Sequence, residues 1–183
     1  MKIIGIVGSP RSNGNVDTLV QAVLAGAGEA GHETKKYDLN KMRFQGCQGC
    51  GYCKTHLGIC KLNDELTPLL KDFNEAGAVV FGTPIYFRQP SGQFRLMQDR
   101  LYSFLKPDFS VTLAPGKKAV IVISQGNPDP VMCDAVTTGL DAVLKLYGFK
   151  QAAHIIMTLG GSPAAVNDRK ELLDAAKAAG KAL

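Results

Sequence analysis

The sequence predicts an α/β fold in which a parallel sheet is covered by helices on both faces. Five apolar, β-type runs alternate along the chain with five segments whose apolar residues recur at helical spacing. Parallel neighbours need crossover connections, and these helical segments supply them. The 183 residues suffice for one domain, 1–183, with a buried core, and no repeat or linker interrupts the sequence.

The composition favours a globular protein and argues against nucleic-acid binding and a membrane span. Apolar residues make up 45% and charged residues 20% of the chain, as in ordinary globular proteins. The net charge is +5, but Lys and Arg are scattered, which argues against nucleic-acid binding. No apolar run approaches about 18 residues, so no membrane span is expected, and the N-terminus lacks a signal-peptide pattern. We therefore expect a cytoplasmic protein, whose cysteines are more often metal ligands or redox thiols than disulfides.

In the first half of the chain, nearly continuous apolar runs predict buried strands. Helical spacing, a terminal glycine and an Asn or Asp cap define the helices between them. The predicted elements are strand Lys2–Val7, helix Thr18–Gly31, edge strand Glu33–Leu39, a helix capped by Asn63 or Asp64, and strand Ala78–Gly82.

The second half continues the alternation, and its first strand is the strongest β signal in the chain. Ligands of such sheets bind beyond the carboxyl ends of the strands. The turns that begin at Gly8, Thr83 and Ser124 should therefore converge. The predicted elements are helix Gln93–Leu105, strand Lys118–Ser124, helix Val131–Tyr147, strand Ala152–Leu159, and a closing helix Asn167–Ala179 capped by Asn167.

The turn after the first strand predicts a phosphate site. A strand, a polar turn and a helix in that order aim backbone N–H groups and the positive end of the helix dipole at one point. The turn has neither the Lys-Ser/Thr of a P-loop nor the G-x-G-x-x-G of a dinucleotide site. Its hydroxyls, amides and one Arg suit a monophosphate, and a capped turn without a ligand is the alternative. These side chains are Ser9, Arg11, Ser12, Asn13, Asn15 and Thr18.

This turn resembles the first turn of the flavodoxin-like NAD(P)H-dependent FMN reductases, G-S-P-R-x-x-x-N-T. Here it reads Gly8-Ser-Pro-Arg-Ser-Asn-Gly-Asn-Val16, and Val16 replaces the usual Thr. The family's T-P-I-Y and S-G motifs match Thr83–Tyr86 and Ser91-Gly92, and Ser124–Asn127 resembles its third flavin-contacting turn. The resemblance implies a doubly wound, five-stranded sheet of order 2-1-3-4-5 that binds FMN.

The resemblance also implies roles for individual residues. The phosphate would lie against Ser9, Arg11, Asn13, Asn15, Val16 and Thr18, with Thr18 replacing the missing hydroxyl. A flavin ring needs a flat apolar wall and a few N–H donors at its polar edges. These would come from Pro84, Ile85, Tyr86, Phe87, Ser124, Gln125, Gly126 and Asn127. For Tyr86 and Phe87, packing or a subunit contact is the alternative. No catalytic acid or base is assigned, because the hydride chemistry belongs to the cofactor.

A cysteine-rich loop at about 42–62 is the second feature. Four thiols at spacings of 2, 2 and 6 can converge on one centre, and C-x2-C-x2-C opens many 4Fe–4S ligand sets. The loop resembles that of the iron–sulfur flavoproteins, a branch of the same group. A 4Fe–4S cluster, plain or disulfide-forming thiols, and structural zinc are the three alternatives. The candidate ligands are Cys47, Cys50, Cys53 and Cys60, whereas Cys133 is expected to be a buried helix residue.

The resemblance implies an FMN-dependent oxidoreductase that passes electrons from a ferredoxin-type donor or NAD(P)H to a small-molecule acceptor. It also implies a homodimer or homotetramer, and the apolar Phe109, Val111 and Leu113 are candidates for a subunit contact. One alternative is a cluster-free NAD(P)H-dependent FMN or quinone reductase. A second is a non-catalytic flavin- or metal-sensing module.

Overall fold

The computed structural model describes the backbone of residues 1–183 and the side chains of residues 1–150 and 153–183. Strands and helices alternate along the chain. The strands are β1 Lys2–Val7, β2 Glu33–Asp38, β3 Ala78–Tyr86, β4 Gln89–Pro90, β5 Lys118–Ser124 and β6 Lys150–Met157. The helices are α1 Asn15–Glu29, α2 Tyr52–Thr55, α3 Thr67–Glu75, α4 Gly92–Arg100, α5 Asp134–Leu146 and α6 Lys170–Lys181. Short 3₁₀ turns cover Leu39–Lys41, Leu101–Phe104, Pro130–Cys133 and Ala165–Asp168.

The sheet has the order β2-β1-β3-β5-β6, and these neighbours pair in parallel. The two-residue β4 pairs antiparallel with the end of β3, through Ile85 with Pro90 and Tyr86 with Gln89. When β4 is set aside, the order is the predicted 2-1-3-4-5. The α/β class and the flavodoxin-like topology are therefore confirmed. No helix in the described part of the chain is both long and apolar enough to span a bilayer.

Each face of the sheet has its own buried core. On one face, Phe73 of α3, Met97 of α4 and Leu140 of α5 belong to one apolar cluster. On the other face, α1 and α6 pack closely enough for backbone contact. A Cβ at Gly26 would lie 2.0 Å from Lys177 O, and one at Gly180 would lie 1.9 Å from Val23 O. Glycines are therefore required where these two helices meet.

Several predicted boundaries were wrong. Helix α1 begins at Asn15, three residues before Thr18, and α4 ends at Arg100, where a 3₁₀ turn continues to Phe104. Asn167 lies in a 3₁₀ turn and does not cap α6, which Arg169 precedes. Neither Asn63 nor Asp64 directly precedes α3, which starts at Thr67 after Leu66. Strand β3 runs to Tyr86, beyond the predicted Gly82, because it also pairs with β4.

The connection after α4 is less exposed than the sequence suggests. Leu113 is buried in the core, and Val111 forms a bridge with Leu105 and packs against the same core. Phe109 is 65% exposed. Of the three residues expected at a subunit contact, Phe109 alone keeps a largely exposed side chain.

Ser91 joins the first turn to the start of α4. Its hydroxyl donates to Gly8 O at 2.6 Å and accepts from Phe94 N at 3.3 Å, and its backbone N–H donates to the Thr83 hydroxyl at 3.1 Å. We expect Ser91→Ala to lower the free energy of unfolding by about 1–2 kcal/mol, because a helix cap and a buried hydrogen bond are both lost. Urea unfolding measures this change, and Ser91→Thr, which keeps the hydroxyl, is the control. An unchanged midpoint for Ser91→Ala would contradict this role.

Candidate functional site

An open cavity lies beyond the carboxyl ends of β1, β3 and β5. The three turns predicted to converge all contribute to it, and the turn after β6 adds a fourth side that the sequence did not predict. The lining residues are Ser9, Arg11, Asn15, Val16, Pro84, Ile85, Tyr86, Ser124, Gln125, Gly126 and Gly160.

Four of the predicted cofactor-binding residues do not line this cavity. Asn13 has a φ of 55° and donates its backbone N–H to Asp17. Thr18 is half-buried on α1. Phe87 is fully exposed at the β3–β4 turn, and the Asn127 side chain accepts the Asp129 N–H at 2.8 Å. In this conformation Asn13 and Asn127 shape their own turns.

The first turn presents unpaired backbone donors at the start of α1. Arg11 N donates to the Ser9 hydroxyl at 3.1 Å, and Gly14 N donates to Arg11 O at 3.2 Å. Gly14 precedes the helix, so the N–H groups of Asn15 and Val16 have no acceptor within α1. These donors and the helix dipole favour an anion beside Ser9 and Arg11.

The side chain of Asn15 holds the turn after β6 in place. Its amide nitrogen donates to Gly160 O at 3.1 Å and to Ser162 O at 2.8 Å, and its oxygen accepts the Val166 N–H at 3.0 Å. The amide predicted to bind a phosphate is therefore engaged in positioning a wall of the cavity. The backbone N–H of Asn15 is left to face an anion.

Asp17 stabilises the turn between β1 and α1 by a hydrogen bond to its backbone. Its buried carboxylate accepts the Asn13 N–H at 2.8 Å and the Gln21 amide at 2.9 Å, and it pairs with Lys36 at 2.5 Å. Burial opposes ionisation of this carboxyl, but the hydrogen bonds from Lys36, Asn13 and Gln21 outweigh it and lower its pKa. Asp17 therefore remains charged without placing a free negative charge in the cavity.

The pKa of Asp17 implies a pH dependence of stability. A carboxyl whose pKa is lower in the folded protein than its unfolded value of about 3.9 stabilises the fold above that pH. This contribution is lost as the pH falls from about 4 through the folded pKa. We expect Asp17→Asn to flatten the fall in unfolding free energy below about pH 4, as measured by urea unfolding at several pH values. Identical slopes for both proteins would contradict this assignment.

The third turn supplies backbone groups to the cavity, while one of its side chains is engaged elsewhere. Gln125 donates its side-chain amide to Asp129 O at 2.6 Å, and its carbonyl accepts the Gly160 N–H at 2.7 Å. Pro84, Ile85 and Tyr86 add apolar and aromatic side chains to the lining of the cavity, and Tyr86 is 43% exposed. A planar group with an apolar face and polar edges suits these surroundings.

The four cysteines of the loop line a second cavity. They share it with glycines of the loop and with Arg100, Tyr102 and Ser103. Gly49 and Gly51 have φ values of 63° and 71°, in the left-handed region that favours glycine, and Gly51 precedes the short helix α2. The cysteine residues are Cys47, Cys50, Cys53 and Cys60.

Arg100 closes the base of the cysteine loop. Its buried guanidinium donates to Gln45 O at 2.8 Å, to Leu62 O at 3.2 Å, and to both Asp64 carboxylate oxygens at 2.8 and 3.3 Å. Burial of Asp64 opposes ionisation, but the hydrogen bonds from Arg100 and Gln45 lower its pKa. Arg100 was not among the predicted site residues, although it lies three residues after Met97 on the inward face of α4.

Lys54 connects the middle of the cysteine loop to the segment that follows α4. Its ammonium group donates to Tyr102 O at 3.0 Å and to Leu105 O at 2.5 Å, and it lies 3.4 Å from the centre of the Tyr102 ring. These contacts connect α2 to the 3₁₀ turn after α4. The loop is therefore held at its base and at its centre.

The thiols differ in exposure, and all are free. Cys47 and Cys50 are exposed, Cys60 is half-buried and Cys53 is buried. Burial raises the pKa of the Cys53 thiol, and the neighbouring Cys47 and Cys60 add to this rise against the effect of Lys54. Cys133 is fully buried in the core, as predicted. Across the described side chains, no three His, Cys, Asp or Glu residues are positioned to hold a metal ion.

Comparisons with known proteins agree with this architecture. An iron-sulfur flavoprotein of Methanocaldococcus jannaschii is 39% identical over 100 residues, which is 55% of this chain and 51% of the relative. An iron-sulfur flavoprotein of Archaeoglobus fulgidus is 28% identical over 168 residues, which is 92% of this chain and 73% of the relative. The match thus spans about half the length of the M. jannaschii relative.

Two solved structures show the same fold. An NAD(P)H:quinone oxidoreductase from Methanothermobacter marburgensis has a TM-score of 0.72 at 20% identity, over 98% of this chain and 93% of that one. An FMN-dependent NADH-azoreductase from Bacillus anthracis in complex with FMN has a TM-score of 0.71 at 15% identity, over 97% and 99%. Residues 1–128 match the sequence profile of the NADPH-dependent FMN reductases. The chain therefore belongs to the NADPH-dependent FMN reductase family.

Proposed function

We propose that this protein is an FMN-dependent oxidoreductase that also carries a 4Fe–4S cluster in the Cys47–Cys60 loop. The observation that carries the proposal is the meeting of three strand-end turns around one cavity. A phosphate-type turn forms one side of this cavity, and an apolar wall forms another. This combination suits a flavin mononucleotide, which has an anionic tail and a flat ring.

The first turn would bind the phosphate of FMN. Ser9, Arg11, Asn15 and Val16 all line the cavity, and the N–H groups of Asn15 and Val16 have no acceptor within α1. Arg11 also reaches Gly161 O at 3.4 Å, so one side chain spans the first and last turns. We assign Asn13 and Thr18 supporting roles in this turn.

The second and third turns would hold the flavin ring. Pro84, Ile85 and Tyr86 supply the wall, and Phe87 can cover the ring from the rim. The backbone N–H groups of Gly126 and Asn127 would donate to the pyrimidine edge, where negative charge develops on reduction, whereas the Gln125 N–H already donates to Met157 O at 2.9 Å. When bound, FMN supplies both hydride and single-electron transfer. The residues of this chain bind and orient it and shield one face from water.

The residue types of the cysteine loop suit a sulfur-ligated cluster, and the thiols would have to move closer together to bind one. Cys47, Cys50, Cys53 and Cys60 all line one cavity, and glycines at the left-handed positions allow the backbone to turn between them. Thiolates are the usual ligands of a 4Fe–4S cluster, which supplies one-electron transfer. The name iron-sulfur flavoprotein, which both relatives carry, supports this assignment.

We further propose a ferredoxin-type protein or NAD(P)H as the electron donor and a small molecule as the acceptor. The assembly would be a cytoplasmic homodimer or homotetramer. The exposed aromatic residues Tyr86 and Phe87 beside the cavity suit a second subunit that completes the ring site.

Anaerobic purification followed by an FMN fluorescence titration and by iron and sulfide analysis tests the proposal. We expect one FMN per chain and about four irons per chain, as a single 4Fe–4S cluster requires. Reduction of bound FMN by NAD(P)H or by a reduced ferredoxin would establish the donor. Absence of FMN binding would overturn the proposal as a whole, and flavin without iron would overturn its cluster.

A cluster-free NAD(P)H-dependent FMN or quinone reductase is the second candidate. The positions of the side chains favour it, because no three His, Cys, Asp or Glu residues in the described part of the chain are placed to hold a metal ion. The same metal analysis separates the two functions. Bound flavin that no reductant turns over would instead indicate a sensing module.

A further inference from the structure

We propose that Arg100 and Ser103 donate hydrogen bonds to the sulfur-ligated group in the cysteine cavity and thereby raise its reduction potential. This inference rests on the cluster of the proposed function. It assigns the two residues a positioning and tuning role, since neither would bind iron.

Both residues carry a buried polar atom without a partner. Among the described side chains, Arg100 Nε and Ser103 Oγ are the buried nitrogen and oxygen atoms that make no hydrogen bond. Arg100 is 1% exposed and Ser103 3% exposed, so bulk water does not satisfy them. Both residues line the cavity that the four cysteines share. Two unpartnered donors therefore occur together at one site.

Nε is the one guanidinium nitrogen of Arg100 that makes no hydrogen bond. Both terminal nitrogens of Arg100 are engaged, with Asp64, Gln45 O and Leu62 O. The side chain is therefore fixed in place, at the wall of the cavity that the thiols line. A buried donor left without an acceptor costs about 1–3 kcal/mol, so such groups ordinarily have a partner. The sulfur atoms of a bound cluster would supply acceptors on this side.

The expected consequence is electrostatic. One-electron reduction adds a negative charge to a sulfur-ligated centre, and N–H or O–H donors to its sulfurs stabilise that charge. The charge of Arg100 is offset by its ion pair with Asp64, so the expected effect comes from the Nε–H and O–H dipoles. Removal of a donor should therefore make the centre harder to reduce, with its iron retained.

Ser103→Ala is the direct test, and Ser103→Thr, which keeps the hydroxyl, is the matched control. All proteins are purified anaerobically, and the fraction reduced by dithionite is followed by electron paramagnetic resonance against a set potential. We expect Ser103→Ala to disfavour the reduced form about tenfold, equal to about 59 mV for a one-electron couple. Ser103→Thr should match the wild type, and iron content should be equal in all three.

Arg100→Lys provides a second measurement, because it keeps the positive charge but removes Nε–H. We expect a lower potential here as well, with a circular-dichroism melt to establish that the variant folds. A wild-type protein without iron would overturn the proposed cluster. A wild type with a full cluster whose potential equals that of both Ser103→Ala and Arg100→Lys would overturn this inference alone.

Discussion

Cys50→Ala is expected to lose most of its iron and sulfide while remaining folded. Cys50 is exposed, so the substitution removes a thiol without leaving a cavity in the core. Surface changes of this kind usually alter the free energy of unfolding by no more than about 0.5 kcal/mol. A cluster that lacks one of its four thiolate ligands is, in contrast, poorly held. Metal analysis and the visible absorbance of the anaerobic protein measure the loss.

The matched control is Cys133→Ala, because Cys133 is the remaining cysteine and lies in the core away from the loop. Its iron content should equal that of the wild type, even where its stability falls. Cys50→Ala should also bind FMN with unchanged affinity, because the flavin cavity is lined by other residues. Full iron in Cys50→Ala, or equal loss in both variants, would refute the assignment of the loop thiols as ligands.

Gly160→Ala is expected to weaken FMN binding about 10- to 100-fold. A Cβ at this position would lie 2.4 Å from Ser124 Oγ and 3.2 Å from both Asn15 Nδ2 and Gln125 O. The Ser124 hydroxyl would have to rotate, and the turn after β6 would have to move away from Asn15. Overpacking of this kind costs about 1–3 kcal/mol, and each 1.4 kcal/mol is about tenfold in affinity. Fluorescence titration of FMN measures the change.

Gly161→Ala is the control for this experiment. A Cβ at Gly161 would meet nothing within 4 Å, although the residue adjoins Gly160 in the same turn. Its FMN affinity should therefore stay near that of the wild type, since the added methyl group lies in open space. Similar affinities for Gly160→Ala and the wild type would show that the turn after β6 is not a wall of the flavin site.

The sequence predicted the order of elements because burial on both faces leaves an unmistakable pattern. Lys118–Ser124 and Lys2–Val7 are almost wholly apolar, and their exact limits agree with β5 and β1. Helix ends were less predictable. Helix α6 starts after Arg169 and a 3₁₀ turn, and Val166 of that turn donates its N–H to the Asn15 side chain of α1. Asn167 looked like a cap because local sequence carries no sign of that contact.

Part of the candidate site was also predictable from the sequence, and part was not. The turns after β1, β3 and β5 were predictable, because the carboxyl ends of parallel strands share one edge. Gly160 was missed, because it contributes through the space its absent side chain leaves beside Ser124. Arg100 and Lys54 were missed, because their partners lie 36 to 55 residues away along the chain. Contacts over such separations are set by the fold and not by local composition.

The Arg100 guanidinium donates hydrogen bonds to the carbonyl of Gln45, which precedes the four cysteines in the chain, and to the carbonyl of Leu62, which follows them. Folding of the domain therefore brings the two ends of the cysteine loop together. The entropy cost of closing this loop is met at that stage, before any iron binds. An inorganic centre would then enter a loop whose two ends are already fixed, and only the thiols between them would have to move towards it. Assembly should consequently resemble ligand docking more than metal-induced folding, and the iron-free protein should resist proteolysis between Gln45 and Leu62.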